Sequence, residues 1–318
     1  MRCFIHVFFL LSVYARMIAP MVTYNIEHWR KMEFCAALPP QLPQSSRITT
    51  SSTTSQPSDR WIWRTVRLGA IHFEIALNNP RTDSYISGTI SSGRQWEPDI
   101  VQVILKRARG SKHVFVDAGA NIGYFSAIAA AAGAQVYSFE AVPSNFARLS
   151  ATRARLHTEK WYAWNGALDA RAGDTVVLQV AHAKSNSGNF KIRAHLKAAY
   201  DGHVAVTTTT LDEHVHTHVD VMKIDVEGHE ARVLSGAHVL ICHHGVQTII
   251  MEMTQDLMTF PGCDWRAMFS WLEAVGYTLR DMSHAHMPIR HWRRTGWRPR
   301  AANIMWDLGA AGVNCASV

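Results

Sequence analysis

An α/β fold on a mostly parallel, Rossmann-like sheet is the class this sequence predicts, on three observations. The stretch 113–123, HVFVDAGANIG, reads as a short buried strand running through Val114, Phe115 and Val116 into Asp117; a tight turn of small residues and a helix over 124–132 follow. A second apolar strand, 136–139, ends in Glu140, so an acidic residue stands at two successive strand ends. From there to 306 strand and helix patterns alternate, as a parallel sheet requires.

The glycine turn narrows the ligand class. A dinucleotide site uses G-x-G-x-x-G so that a helix N-terminus can take an anionic pyrophosphate. Here the spacing is D-x-G-x-N-x-G, with Asp117 at the mouth. A carboxylate there repels a pyrophosphate and suits a ligand carrying an ammonium and a sulfonium, which is S-adenosylmethionine. Glu140 follows Asp117 at close to the ~20-residue interval at which an acid meets ribose hydroxyls in such folds. Each acid also has a purely structural alternative, as a cap on the helix that follows it.

In chain order, residues 4–14 are almost wholly apolar behind Arg2, and Val13-Tyr14-Ala15 resembles a small-residue cleavage site, the pattern of a signal peptide. Arg16 interrupts the run short of the ~20 apolar residues that span a bilayer, which leaves a short signal anchor reaching Val22, or an apolar leader packed on the domain, as alternatives. The expected location is secretory or membrane-anchored in the first two cases and cytoplasmic otherwise. Residues 38–59 are rich in Ser, Thr, Pro and Gln, cannot bury enough surface to offset their ordering entropy, and read as a disordered linker. Two strands around Gly69 are expected within 61–77, a turn at 78–83, another strand at 86–90, and a helix opened by Trp96-Glu97-Pro98 and running to Lys106. Glu97 reads as a first-turn acid complementing that helix's dipole.

Beyond the glycine loop come a helix over 145–157, a strand over 161–165, and a hairpin insertion at 175–180 entered through the turn 170–174. The segment SNSGN at 185–189 is polar and glycine-bearing, and reads either as an ordinary surface loop or as a loop that faces the acceptor. The strand 219–224 then delivers Asp225 and Glu227 at its carboxyl end, where open α/β sheets bind ligands, and the helix 230–235 follows. If the ligand is S-adenosylmethionine, methyl transfer from it is an in-line displacement in which the acceptor atom must be positioned and relieved of its proton. Asp225 or Glu227 is the candidate base, and Lys223 the candidate for orienting an acceptor carboxylate. The bland alternatives are that Glu227 caps the next helix and that Lys223 snorkels to the surface. A further strand, 247–251, ends at Glu252, which either pairs with an arginine or borders the acceptor pocket; a helix over 265–275 stopped by Gly276 and a strand from 277 follow.

Residues 282–300 hold five arginines with Trp292 and Trp297, read as a long hairpin loop before a closing strand at 301–306, with a tail beyond Gly309 that has little to order it. Basic and aromatic residues could contact nucleic acid, but no recognised module accompanies them and none is expected to bind. His214, His216 and His218 alternate without a Cys or carboxylate at ligand spacing, so no metal site is assigned to them, or to His243, His244, His284 and His286. Five cysteines, Cys3, Cys35, Cys242, Cys263 and Cys315, are widely spaced with no C-x-x-C, and indicate neither a disulfide framework nor a zinc knuckle. With 318 residues, 47% of them hydrophobic, the chain can bury one large core; a net charge of +7 admits an anionic partner but says nothing of fold.

Several separated blocks resemble one family: VDAGANIGYFS at 116–126, FEAVPSNFARL at 139–149, TTLDEH at 209–214, VDVMKIDVEGHEARVLSGA at 219–237 and IIMEM at 249–253. In this order they resemble the FkbM-type methyltransferases of the class I S-adenosylmethionine-dependent fold. The resemblance spans roughly Trp96 to Trp306; Ala141 departs from it, standing where the family more often has proline. It implies a seven-stranded sheet flanked by helices, and transfer of a methyl group from S-adenosylmethionine to oxygen, on a hydroxyl of a sugar, glycan or small metabolite. It also implies that the cofactor's amino-acid end lies on Asp117, Gly119, Asn121 and Gly123, its ribose on Glu140, its adenine beside Asn165 and Ala167, and its methyl toward Asp225; the W-E-P block would cap the site mouth. The organisation expected is a leader at 1–37, a linker at 38–59, N-terminal strands and cap helix at 60–112, the methyltransferase-like domain at 113–308 and a tail at 309–318. Membrane contact is expected only through the leader. A non-catalytic cofactor-binding protein and a nucleic-acid methyltransferase are the rival readings.

Overall fold

The computed structural model describes residues 61–180, 190–192, 203–254, 264–282 and 301–317. The leader, the linker, the 185–189 loop, nearly all of the basic stretch, and Cys3, Cys35 and Cys263 lie outside the described residues. The central sheet has seven strands in the order β12-β13-β11-β10-β3-β4-β5, where β3 is Val114–Ala118, β4 Gln135–Glu140, β5 Trp161–Asn165, β10 Val219–Ile224, β11 Val246–Thr254, β12 Tyr277–Asp281 and β13 Ala301–Leu308. All neighbours pair in parallel except β13, which is antiparallel to both β11 and β12. The strand order reverses between β3 and β10, and in open α/β sheets the crevice outside such a reversal is where ligands bind.

Register decides which side chains meet there. Asp117 on β3 lies beside Ser138 on β4 and Lys223 on β10. Strand side chains alternate between faces, so Asp117, Ser138 and Lys223 share one face of the sheet. Helix α3, Tyr124–Ala131, packs on that face: its Ser126 bonds Asp117 and its Phe125 ring lies 5.2 Å beneath the Lys223 ammonium. Small alanines at 127, 129 and 130 let α3 sit close to the sheet, and all are buried.

An N-terminal hairpin, β1 (Ile62–Leu68) with β2 (Ile71–Leu77), adds a layer outside the helices. Its Phe73, Ile75 and Leu77 join one core with α3 and with Ile100 and Ile104 of α2, Pro98–Arg107. Thr152 of α4, Pro143–Leu156, ties the hairpin down by accepting a 3.0 Å bond from Ala76 N.

Four expectations are corrected. The strand expected at 86–90 is a helix, α1, Ile86–Ser91. Asp83 fixes it, its carboxylate accepting from Ile86 N, Ser87 N and the Ser87 hydroxyl at 3.3, 3.2 and 2.6 Å. The insertion after β5 is a four-stranded sheet in the order β6-β9-β7-β8, not a hairpin: Ala167–Leu168 (β6) runs parallel to His203–Thr209 (β9), which pairs with Thr175–Val180 (β7), and β7 with Phe190–Ile192 (β8). The tail beyond Gly309 is ordered through Asn314 N, which bonds Val275 O, and through a disulfide between Cys315 and Cys242. That disulfide is the fourth correction, since spacing alone indicated none.

Two further helices complete the domain, α5 (Glu230–Ser235) and α6 (Trp265–Ala274). A buried pair, Arg232 with Asp169 at 2.6 Å, ties α5 to the segment after β6. On α6, Phe269 meets Trp306 of β13 edge to face at 5.0 Å.

The Cys242–Cys315 bond spans 73 residues, and in the chain-entropy view closing such a loop is worth about 4 kcal/mol. Reduction, or Cys315→Ser, is expected to lower the melting temperature by roughly 5–10 °C. Thermal unfolding with and without reductant measures it; the Cys315→Ser protein should show no response to reductant.

Candidate active site

Each acid expected at a strand end occupies the same end of the sheet. Asp117 is fully buried, and its two oxygens differ. Oδ2 accepts from the backbone N and the hydroxyl of Ser126 at 3.1 and 2.5 Å, satisfying one of the orphan N–H groups at the start of α3. Oδ1 has no hydrogen-bond partner among the described residues. Burial raises the Asp117 pKa, opposed by the Lys223 ammonium.

The loop after Asp117 is held from both sides. Gly119 N and Ala120 N donate to Phe139 O at 3.0 and 2.9 Å, and Asn121 N donates to Glu140 Oε2 at 2.7 Å. At Gly119, φ is +83°, and a Cβ would stand 1.8 Å from the Asp225 carbonyl oxygen. Glycine is needed there for the left-handed turn and for the approach to the β10 exit. Asn121 also has a left-handed φ of 51°, and its Oδ1 is buried without a partner among the described residues. Gly123 is left-handed too, packed on Leu149 at the start of α3.

Glu140 is buried at the end of β4, with Oε1 accepting from Val142 N at 2.8 Å. Burial pushes its pKa up to about 7 despite the two backbone donors, which favour the charged form. Asn165, at the end of β5, turns its amide to Glu140 O and Ala141 O at 2.8 and 3.2 Å and so braces the β4 exit. Ala167 is buried in the small core of Val142, Val176, Leu178 and Val206. Asp117, the glycine loop, Glu140 and Asn165 are thus one connected unit, while Ala167 supports it from below.

The β10 exit carries the second group. Lys223 is 3% exposed, and its Nζ donates to Asp225 Oδ2 at 2.8 Å, so it does not snorkel. Burial would lower the Lys223 pKa, but Asp225, Asp117 and Glu97 around it win and raise it. Burial would raise that of Asp225; Lys223 and a hydrogen bond with Glu252 hold it below the ordinary carboxylate range. Oxygens of Asp225, Glu227 and Glu252 lie within 4.8 Å of one another. Carboxylates that close cannot all be charged without a shared proton or a cation. Glu252 takes the proton: burial and the neighbouring Asp225 push its pKa far up. The same oxygens are a donor set for a hard cation, for which no spacing in the sequence gave a sign. Glu227 has φ 55°; the residue at the N-cap of α5 is His229, without a side-chain cap bond, and Glu230 braces the turn before the helix, its Oε1 accepting from Val226 N and Gly228 N at 3.3 and 3.1 Å.

Glu97 joins this cluster, at the site mouth where the resemblance put the W-E-P block, although the residues alone read equally as a helix-dipole acid. It precedes α2 in a left-handed conformation, accepts from Asn303 Nδ2 at 2.8 Å, and feels both Lys223 and Asp225. Asn303 is the register partner of Glu252. The alternating histidines separate: His214 packs on Trp164 at 4.5 Å, His216 lies near His244, and His218 faces the His244 carbonyl.

A family model for the methyltransferase FkbM domain matches residues 117–279, half of the chain. The chain belongs to the FkbM methyltransferase domain family. Its sheet is the Rossmann-like, mostly parallel seven-stranded class I methyltransferase sheet that the resemblance implied. Among solved structures it is similar to the methyltransferase FkbM of Methylobacillus flagellatus (16% identity, TM-score 0.40), over 61% of this chain and 43% of that one, less than half its length. A precorrin-6y C5,15-methyltransferase from Geobacter metallireducens is similar at 12% identity and TM-score 0.36, over 68% and 89% of the two chains. M. jannaschii TYW2, solved in complex with AdoMet, is similar at 11% identity and TM-score 0.35, over 78% and 86%. No curated protein matches.

The raised pKa of Glu252 has a consequence for stability. The folded state holds a proton that the unfolded chain releases near 4.5, so stability is fullest below that pH and falls as pH climbs into the alkaline range. Glu252→Gln keeps a donor to Asp225 and removes the titration. Its melting temperature is expected to match the wild type near pH 5 and exceed it at pH 8–9, as read by thermal unfolding across pH.

Proposed function

We propose that this FkbM-family methyltransferase transfers a methyl group from S-adenosylmethionine to a hydroxyl oxygen of a sugar, glycan or small metabolite. The observation that carries the reading is a charge imbalance at the switch point among the described residues: Glu97, Asp117, Asp225 and Glu227, beside a protonated Glu252, gather around the ammonium of Lys223. A site with surplus negative charge favours a ligand bearing an ammonium and a sulfonium. Two buried oxygens, Asp117 Oδ1 and Asn121 Oδ1, have no donor among the described residues, and the cofactor's ammonium would supply one. Glu140, on the neighbouring strand end, would accept from ribose hydroxyls, with Asn165 bracing that exit.

Bound there, the cofactor supplies an electrophilic methyl group. Asp225 is held in its charged form by Lys223, which makes it the acceptor for a hydroxyl proton as the acceptor oxygen attacks. Lys223, buried and engaged, neutralises Asp225 in this scheme and leaves the substrate to others. Glu252 donates to Asp225 and fixes its orientation, and Glu227 flanks the acceptor position. The surplus of acids disfavours a phosphate- or carboxylate-bearing acceptor, which supports a neutral hydroxyl compound over nucleic acid despite the positive net charge of the whole chain.

A labelled-methyl screen on glycan, metabolite and RNA fractions, comparing wild type with Asp225→Asn, tests the reading. Label is expected in a hydroxyl-bearing glycan or metabolite, with Asp225→Asn slower by about a hundredfold at saturating cofactor. Label found in RNA, or equal rates for the two proteins, refutes it. In calorimetry, Glu140→Ala is expected to weaken S-adenosylmethionine binding by roughly tenfold; an unchanged affinity removes the ribose assignment.

A further inference from the structure

A chain of hydrogen bonds runs through the buried face of the sheet and ends on Asp117. Trp161 Nε1 donates to Ser138 Oγ at 2.7 Å, Ser138 Oγ lies 2.7 Å from Ser126 Oγ, and Ser126 Oγ donates to Asp117 Oδ2 at 2.5 Å. An indole N–H can only donate and a carboxylate can only accept, so the two ends set the direction of every link. Ser138 must therefore give its proton to Ser126, and Ser126 its own to Asp117. All four side chains are fully buried, and they come from three neighbouring strands and the helix above them. Trp161 and Ser138 sit where β4 and β5 face the α3 side, among the apolar Phe115, Val136 and Ile128. A buried polar network is costly unless every member is satisfied. Each member is, save one atom, Asp117 Oδ1.

We infer that Trp161, Ser138 and Ser126 are positioning residues for Asp117: together they pin Oδ2, so that Oδ1 alone is presented to the ammonium of the cofactor's amino-acid end. A carboxylate free to rotate would present either oxygen and would pay an ordering cost on binding; this one is ordered beforehand. Lys223, the register neighbour on the other side, donates to Asp225, and Oδ1 has no hydrogen-bond partner among the described residues. The inference rests on the cofactor reading above and extends it to three residues that touch no ligand.

Calorimetry on the full-length protein with two probes tests it: S-adenosylmethionine, and 5′-methylthioadenosine, which lacks the amino-acid end. Ser126→Ala and Ser138→Ala are each expected to weaken S-adenosylmethionine about tenfold and to leave methylthioadenosine unchanged. In an Asp117→Ala background, Ser126→Ala should cost nothing more. Ser138→Ala breaks the chain without touching the helix and carries the test if Ser126→Ala does not fold; methylthioadenosine binding shows that the site is intact. Equal weakening of both probes, no weakening of either, or additive losses in the double variant overturns the inference and leaves the cofactor reading standing. A wild-type protein that binds methylthioadenosine but not S-adenosylmethionine, or neither, overturns both.

Discussion

Among the described residues, the ammonium of Lys223 sits at the end of the mostly parallel sheet among more carboxylates than it can neutralise. That imbalance is the constraint from which the rest of the site follows. Burying several acids together is expensive unless protons, hydrogen bonds or an opposite charge compensate. Here each device is present: Lys223 serves Asp225, Glu252 holds a proton, Glu140 and Glu230 take backbone N–H groups, and Asp117 takes a serine. The compensation is incomplete, and a cationic cofactor would complete it.

Parity is what gathers these groups. Asp117, Glu140 and Lys223 share a face because side chains alternate along strands; the registers bring Asp117 level with Lys223 and Ser138, with Glu140 two residues further along β4. Asp225 and Glu252 each come one residue after the paired Ile224 and Met251, so they reach the same level on adjacent strands. A shift of one residue in either pairing would send half of the site to the other face. The Gly119 contact with the Asp225 carbonyl guards against that, since it locks the β3 exit to the β10 exit at a distance no side chain permits.

Much of this was legible before any coordinates. The glycine loop and the acids at 117, 140 and 225 stand at ends of apolar runs, and such runs are visible in a single sequence. What was hidden depends on pairings between distant segments. Glu252 beside Asp225 requires the β10–β11 register, and Glu97 beside Lys223 requires the approach of α2 to the sheet; no local pattern encodes either. The Cys242–Cys315 pair is hidden for the same reason. The helix at 86–91 is a different case. Ile86 and Ile90 stand one helical turn apart behind Asp83, a signal that was present and was outweighed by the short apolar look of the segment. β9 was likewise obscured, because its alternation, HVAVTTT, ran into a recognisable motif and was absorbed by it.

The outer hairpin bears on how this protein can be trimmed. The family match begins at Asp117, inside β3, and stops at 279, before β13. A fragment cut to those limits would discard three residues of the central strand, uncover the side of α3 turned toward the hairpin, strip Ile100 and Ile104 from the core, and leave β11 as a bare apolar edge. Open edges of that kind recruit other chains. Soluble expression therefore asks for a piece that begins no later than Trp61 and runs through the cysteine at 315, well outside the borders that sequence similarity alone would draw.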